Sequence, residues 1–345
     1  MFEIDGSLKS GSGTILRLAV AFAAIKGEQV RISNIRQSRP QPGLKPQHLE
    51  AVLTAARLCN AETKGATLFS RELWFSPREI KGGNIEAQIG TAGNIPMLLL
   101  TVLPICAVSK NAVRLHVTKG GTDTSNAPTI NYLINVLLNC LSRMGIAASI
   151  TVHKYGYYPK GMGEVTLTVQ PTIQKSPIQM EKLGKIRIIR GVSTCTFLAD
   201  KKVAERQANA AREYLSEKGI ASDIQIVNDT SNPMQKGSSI VLWAENDGEA
   251  ILGADSIGRL GKPSEVVGRE AADRLFSEIR TQPTVDVHLA DMIIPYMALT
   301  DGTSFFFARM VSDHLETNIW LAEKMLGVHF SIRKEKGLFR VEKIG

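Results

Sequence analysis

Residues 11–35 read GSGTILRLAVAFAAIKGEQVRISNI. A turn marked by Gly11 and Gly13 opens onto an apolar run, a third glycine, Gly27, closes that run, and QVRISNI then alternates with strand period. The loop RQSRPQPGLKPQ (36–47) and the helical pattern HLEAVLTAARLCN (48–60) follow. The same order of elements recurs twice with different letters. IGTAGNIPMLLLTVLPICAV (89–108) leads into AVRLHVT, KGGTDTSNAPT and INYLINVLLNCLSRMG, and HLADMIIPYMALTDG (288–302) leads into SFFFARM, VSDH and LETNIWLAEKMLG. Each copy ends in an alternating segment: ELWFSP, EVTLTVQP or GLFRVEKI. Three units, each of two helices on a sheet, are therefore expected to stack into one large α/β (α+β) domain.

A segment of different rhythm separates the second and third copies. KIRIIRGVSTCTF, the helix DKKVAERQANAAREYLSEKG, the strands ASDIQIVN and SSIVLWAE, and the helix PSEVVGREAADRLFSEIR make a self-sufficient α/β unit of about 95 residues. The large domain is thus expected over 1–183 and 281–345, with a small insert over 184–280.

A chain of 345 residues with 43% hydrophobic and 21% charged residues is ordinary for a globular protein. Its net charge of +8 favours an anionic partner such as nucleic acid or a nucleotide. Cys59, Cys106, Cys140 and Cys195 are scattered without zinc-ligand spacing, as expected in a reducing cytoplasm. The start shows no secretory pattern, and the longest apolar run, 95–108, is too short to span a bilayer. The expectation is a soluble cytoplasmic protein with no membrane partner, and homo-oligomerisation stays open.

Polar residues gather in the loops that lead into the second helix of each unit. Arg36, Arg39, Gln47 and His48 mark the first, Asp123, Ser125 and Asn126 the second, and Ser312, Asp313, His314, Thr317 and Asn318 the third. Packing around a common axis would bring these corners to one cleft. Plainer readings stand beside this one: Ser312 or Asp313 caps a helix, the arginines are a solvated surface, and Gly120–Asp123 is a turn. The opening glycine loop fits neither common phosphate-loop spacing, so it is an anion site or a bare turn.

Taken together, ILR (15–17), IRQSRPQPGLKPQHL (35–49), GTAG with LTVLP (90–104), GGTDTSNAP (120–128), YGYYPKGMGEV (155–165), HLADMIIP (288–295) and SDHLETN (312–318) resemble the RNA 3′-terminal phosphate cyclase family, in the family's order and over essentially the whole chain. The resemblance implies three repeated βαβαββ-type units with a small α/β domain inserted before the third. It also implies ATP-dependent conversion of an RNA 3′-terminal phosphate to a 2′,3′-cyclic phosphate. That reaction passes through a covalent nucleotidyl-histidine and an RNA-(3′)pp(5′)A intermediate, with release of pyrophosphate and AMP. The S-x-H-x-x-T-N-like stretch puts the nucleophile at His314. Arg17, Pro128, His288, Asp291 and Asn318 are then candidates for the nucleotide, and Arg36, Arg39, Gln47 and His48 for the RNA phosphate.

Mg²⁺ or Mn²⁺ is the implied metal. Ser10 stands where many relatives carry a metal-binding glutamate, which leaves Asp291 as the ligand candidate, and Leu100 stands where a glutamine is common. Two other readings are a non-catalytic RNA-binding assembly factor of the same family and an adenylyltransferase acting on other polynucleotide phosphate ends. An intact His314 favours catalysis over the assembly factor.

Overall fold

The computed structural model describes residues 1–172 and 174–345. Its first unit runs β1 (Phe2–Asp5), α1 (Gly13–Lys26), β2 (Val30–Ser33), α2 (Pro46–Cys59), β3 (Glu62–Lys64) and β4 (Leu73–Ser76). Ser12 caps α1 by accepting from Thr14 N, and Gly27, in the left-handed region at φ 68°, ends it. Every residue from Gly13 to Ala24 is buried, so α1 has no solvent face. Its run, apolar but for Thr14 and Arg17 before the closing Lys26, suits it to the middle of the domain, where it packs against α2 and against the helices Ile95–Cys106 and Asp313–Leu326 of the other units.

The second unit repeats the plan with β5 (Gly83–Gln88), α3 (Ile95–Cys106), β6 (Val113–Gly120), a helix α4 (Ile130–Tyr132) continuing through a π-helical turn (Leu133–Leu137) into α5 (Leu138–Arg143), β7 (Ala148–Lys154) and β8 (Gly163–Val169). Both sheets have the same topology, β1-β2-β4-β3 and β5-β6-β8-β7. The first pair of each is parallel, joined by the buried helix, and the remaining pairs are antiparallel.

The insert follows as β9 (Ile186–Thr196), α6 (Val203–Glu217), β10 (Ser222–Asp229), β11 (Gly237–Asn246), β12 (Gly253–Ile257) and α7 (Ser264–Thr281), with strand order β10-β9-β11-β12. The third unit then supplies α8 (Val287–Met297), β13 (Ser304–Ala308), α9 (Asp313–Leu326), β14 (His329–Glu335) and β15 (Leu338–Ile344). Its sheet, β13-β15-β14, lacks a named first strand, but residues 178–180 take that place. Gln179 pairs in parallel with Phe305, Phe305 N donates to Ile178 O at 2.8 Å, and Met180 N donates to Phe305 O at 3.0 Å. The insert therefore leaves the large domain just after this strand, and all three units close as βαβαββ.

Two main hydrophobic cores result among the described residues, with a small third cluster at Cys195, Val203 and Ala204. One joins all three units, including Ile4, Phe22, Leu98, Leu167, Ile293 and Phe306, and the other lies inside the insert around Ile189, Leu215, Leu242 and Leu275. Polar contacts dock the insert. Asp286 caps α8 and also accepts from Tyr132 OH (2.7 Å) and Gly253 N (2.9 Å), while Asp255 accepts from Thr129 N at 2.7 Å. Among the described residues no helix is long and apolar enough to cross a membrane.

Candidate active site

The first and third units meet at their helix N-termini. Ser10 N donates to Thr317 Oγ1 (3.2 Å) at the start of the second turn of α9, so the opening glycine loop is fastened to the segment that carries His314. One helical position inside α1, Thr14 Oγ1 lies 3.3 Å from His314 Nδ1 and accepts from Arg17 Nη2 at 3.0 Å. Residues 300 positions apart are thereby joined in a chain from guanidinium to hydroxyl to imidazole.

Gly13 makes room for this arrangement. A Cβ at that position would lie 2.4 Å from His48 Nε2 and 2.8 Å from Arg17 Nη1. The glycine is needed because two polar side chains converge on its backbone, and its own conformation is ordinary helix.

Arg17, Pro128, His288, Asp291, His314 and Asn318 line one cleft of about 1550 Å³ between the large domain and the insert, and Leu100 lies on the same wall. Ser312 shapes its floor: the hydroxyl caps α9 by accepting from Leu315 N (2.9 Å) and donates to Asp291 Oδ1 (2.6 Å). Asn318 Nδ2 donates to Asp291 O at 2.6 Å, while the buried Asn318 Oδ1 has no partner among the described residues. An unpaired buried acceptor beside a cleft is suited to an N–H or O–H of a ligand.

The other four candidates do not line that cleft, and of them His48 lies against Gly13. Arg36 Nη1 donates to Gln41 O and Gly43 O at 2.9 and 2.8 Å, shaping its own loop. Gln47 Oε1 accepts from Asn94 N at 2.8 Å, which fastens α2 to the start of α3. His48 Nδ1 accepts from Lys45 N at 3.4 Å, reaching back from the first turn of α2 to the residue that precedes the helix. Arg39 is exposed.

The electrostatics are one-sided. Arg17 is 8% exposed, and among the described residues neither it, Arg36 nor Arg39 joins an ion pair. Burial, and then Arg36, lower the Arg17 pKa to about 10, so it stays charged at neutral pH. His314 reaches solvent at the cleft edge, yet burial within the surrounding loops, followed by the charges of Arg17 and Arg39, holds its pKa below the usual histidine value. Burial pushes Asp291 up to about 7 against the hydrogen bond from Ser312. A buried cation without a carboxylate partner, with two further arginines near it in the fold, makes a site for an anion.

His48 is pushed down to about 2 by burial and then by Arg17, Arg36 and Lys45, so it is a neutral neighbour of the arginines. Below pH 6.5 the unfolded chain takes up a proton that folded His48 refuses, and stability falls as pH falls. Between pH 6.5 and 5 this contribution amounts to about 2 kcal/mol. The substitution His48→Gln is expected to remove that share of the acid sensitivity, read as a smaller loss of unfolding free energy between pH 7 and 5 in urea titrations. An unchanged difference would contradict the buried neutral assignment.

A family model described as RNA 3′-terminal phosphate cyclase matches residues 8–332. The chain belongs to the RNA 3′-terminal phosphate cyclase family. The cyclase of Methanopyrus kandleri is 43% identical over 341 residues, covering 98% of this chain and 96% of that protein. That of Pyrococcus furiosus is 44% identical over 345 residues, with 99% and 98% covered. The Methanosarcina barkeri cyclase is 42% identical over 341 residues, with 99% of each chain covered.

Within this cyclase-family site, the residue that sequence reasoning passed over is Thr14. A hydroxyl one turn before Arg17, directly after a glycine turn, was the available signal. The metal expectation finds little support in the side chains. Among the described residues no group of three or more His, Cys, Asp or Glu side chains is arranged to hold a metal ion. Ser10 Oγ is paired with Ser12 Oγ at 3.0 Å, and Asp291 Oδ1 is taken by Ser312. These residues do not fit a metal site built by the protein alone.

Proposed function

We propose that this chain converts an RNA 3′-terminal phosphate to a 2′,3′-cyclic phosphate with ATP, through nucleotide covalently held on His314. The observation that carries the reading is the unpaired, buried Arg17 joined through Thr14 to His314. It sets a phosphate-seeking charge beside an imidazole that burial keeps neutral.

Thr14 Oγ1 has lone pairs for both Arg17 Nη2–H and His314 Nδ1–H, an arrangement that leaves the Nε2 lone pair to attack. A bond forms from Nε2 to the α-phosphorus of ATP as the bond to the bridging oxygen breaks, and pyrophosphate departs with that electron pair. An oxygen of the RNA 3′-phosphate next displaces the imidazole from the adenylate phosphorus. Finally the vicinal 2′-hydroxyl attacks the terminal phosphorus, loses its proton to solvent, and AMP leaves. Arg17 offsets charge on the phosphates throughout, with Arg36 and Arg39 behind it. Pro128 and His288 serve the base, and the free Asn318 Oδ1 accepts from a ribose hydroxyl or base amine. Mg²⁺ or Mn²⁺ belongs to the triphosphate in this reading, and no step depends on a protein ligand for it.

The test is end analysis. RNA with a 3′-terminal phosphate, incubated with the protein, ATP and Mg²⁺ or Mn²⁺, is expected to become resistant to phosphatase and to return to sensitivity after acid opening of the cyclic ester. Ends that stay phosphatase-sensitive under either metal would refute the activity.

A further inference from the structure

The cleft is larger than one nucleotide requires. Sites for a single small ligand run to roughly 300–1,000 Å³, whereas this one measures about 1550 Å³ and continues onto the insert. Lys201, Lys236 and Arg259 stand on that continuation. All three are exposed, and none joins an ion pair among the described residues. The carboxylates on the same wall are already engaged: Asp255 accepts from Thr129 N, and Glu270 pairs with Lys262. The wall therefore keeps a surplus of free positive charge.

An aromatic side chain stands among these cations. Tyr158 is 76% exposed and lines the same cleft. Gln235 Nε2 donates to both Tyr158 O (3.1 Å) and Lys236 O (3.0 Å), and Lys160 N donates to Gln235 Oε1 at 3.2 Å. Gln235 thus clamps the second unit's loop to the insert and sets the tyrosine beside the lysine. Backbone-tracking cations with an exposed ring between them are the elements that hold single-stranded nucleic acid without reading its sequence.

We propose that the insert-side wall of the cleft, through Lys201, Lys236, Arg259 and Tyr158, is the track for the RNA nucleotides that precede the 3′-terminal phosphate. This inference rests on the RNA substrate proposed above and gives the insert its role. The three cations take backbone phosphates, and Tyr158 stacks on a base. The terminal phosphate continues to Arg17 and His314 on the opposite wall.

The experiment measures binding of a 5′-fluorescent single-stranded RNA of about fifteen nucleotides with a 3′-phosphate, a length within the range such tracks cover, across a salt series. For the combined Lys201→Ala, Lys236→Ala and Arg259→Ala protein, affinity is expected to fall at least tenfold. The plot of log affinity against log salt should become shallower by about two, since each lost contact to a single strand removes about 0.7. Tyr158→Ala is expected to weaken binding about tenfold, and Tyr158→Phe to keep it. A dinucleotide with a 3′-phosphate is expected to bind the triple variant and the parent alike.

Unchanged affinity and slope in folded triple variant would overturn the track. So would equal weakening for the dinucleotide, because the cations would then serve the terminal phosphate itself, and so would an absence of RNA binding by the parent protein. Attachment of labelled AMP to the parent protein, which needs no RNA, reports separately on the catalytic reading. RNA binding that follows these expectations without that label would keep the track and remove the His314 chemistry.

Discussion

Replacing His314 with alanine is expected to abolish the covalent protein–nucleotide adduct and to lower RNA end cyclisation by at least about 10³-fold, the scale of losing a covalent nucleophile. The fold should tolerate the change within about 1 kcal/mol, since His314 lies at the exposed edge of the cleft and, among the described residues, its side chain bonds only to Thr14. Electrophoresis after incubation with α-labelled ATP provides the measurement, and the label on the parent should be acid-labile, as a phosphorus–nitrogen bond is. The pH dependence follows from the lowered pKa of His314. A depressed pKa keeps the imidazole neutral to lower pH, so the acid limb of adduct formation should lie below the ordinary value of about 6.5. Label on the alanine variant at parental levels would move the nucleophile elsewhere.

The repeat was legible because its signals are local. A long apolar run bounded by glycine, as in α1, reads as a buried helix, and the recurrence of an apolar helix with the same succession of elements after it implies three like units. The first strand of the third unit was not legible. Residues 178–180 span three positions, too few to show alternation, and their pairing with Phe305 is set across the whole insert. The π-helical turn at Leu133–Leu137 lies in an apolar stretch whose period alone does not separate it from an α-helix.

The site divides along the same line. His314 and Asn318 stand out among the polar residues of the segment that opens α9, Asp291 follows from the family resemblance alone, and the fold brings all three to one cleft with Arg17. The roles of Gln47 and Arg36 as struts depend on contacts with Asn94 N and with the carbonyls of Gln41 and Gly43, and none of these follows from residue type. Thr14 is the extreme case. Its position after a glycine turn and one turn before Arg17 marks it only weakly in the sequence, and the docking of α9 onto α1 is what makes it the neighbour of His314.

Arg17→Met is expected to separate stability from function. The guanidinium is buried, carries a pKa lowered from 12.5 to about 10, and makes its side-chain hydrogen bond to Thr14 rather than to a carboxylate. A base whose folded pKa is depressed destabilises the fold at every pH below that value, here by about 3 kcal/mol at 1.36 kcal/mol per unit, and the cost vanishes only as pH rises through the unfolded value. Methionine fills similar space without charge. After allowing about 1 kcal/mol for the lost hydrogen bond and some for imperfect packing, the variant should be more stable than the parent by about 1 kcal/mol in phosphate-free buffer. With ATP at about a hundred times its dissociation constant, the parent gains about 2.7 kcal/mol by mass action. The variant, its anion contact gone, gains far less at the same concentration, so the order of stability reverses. Cyclisation should fall by about 10²-fold or more, the effect of removing one charge-stabilising donor. Paired thermal melts with and without ATP decide the matter, and a variant less stable than the parent in the absence of any anion would show that Arg17 supports the fold and is not held there for a phosphate.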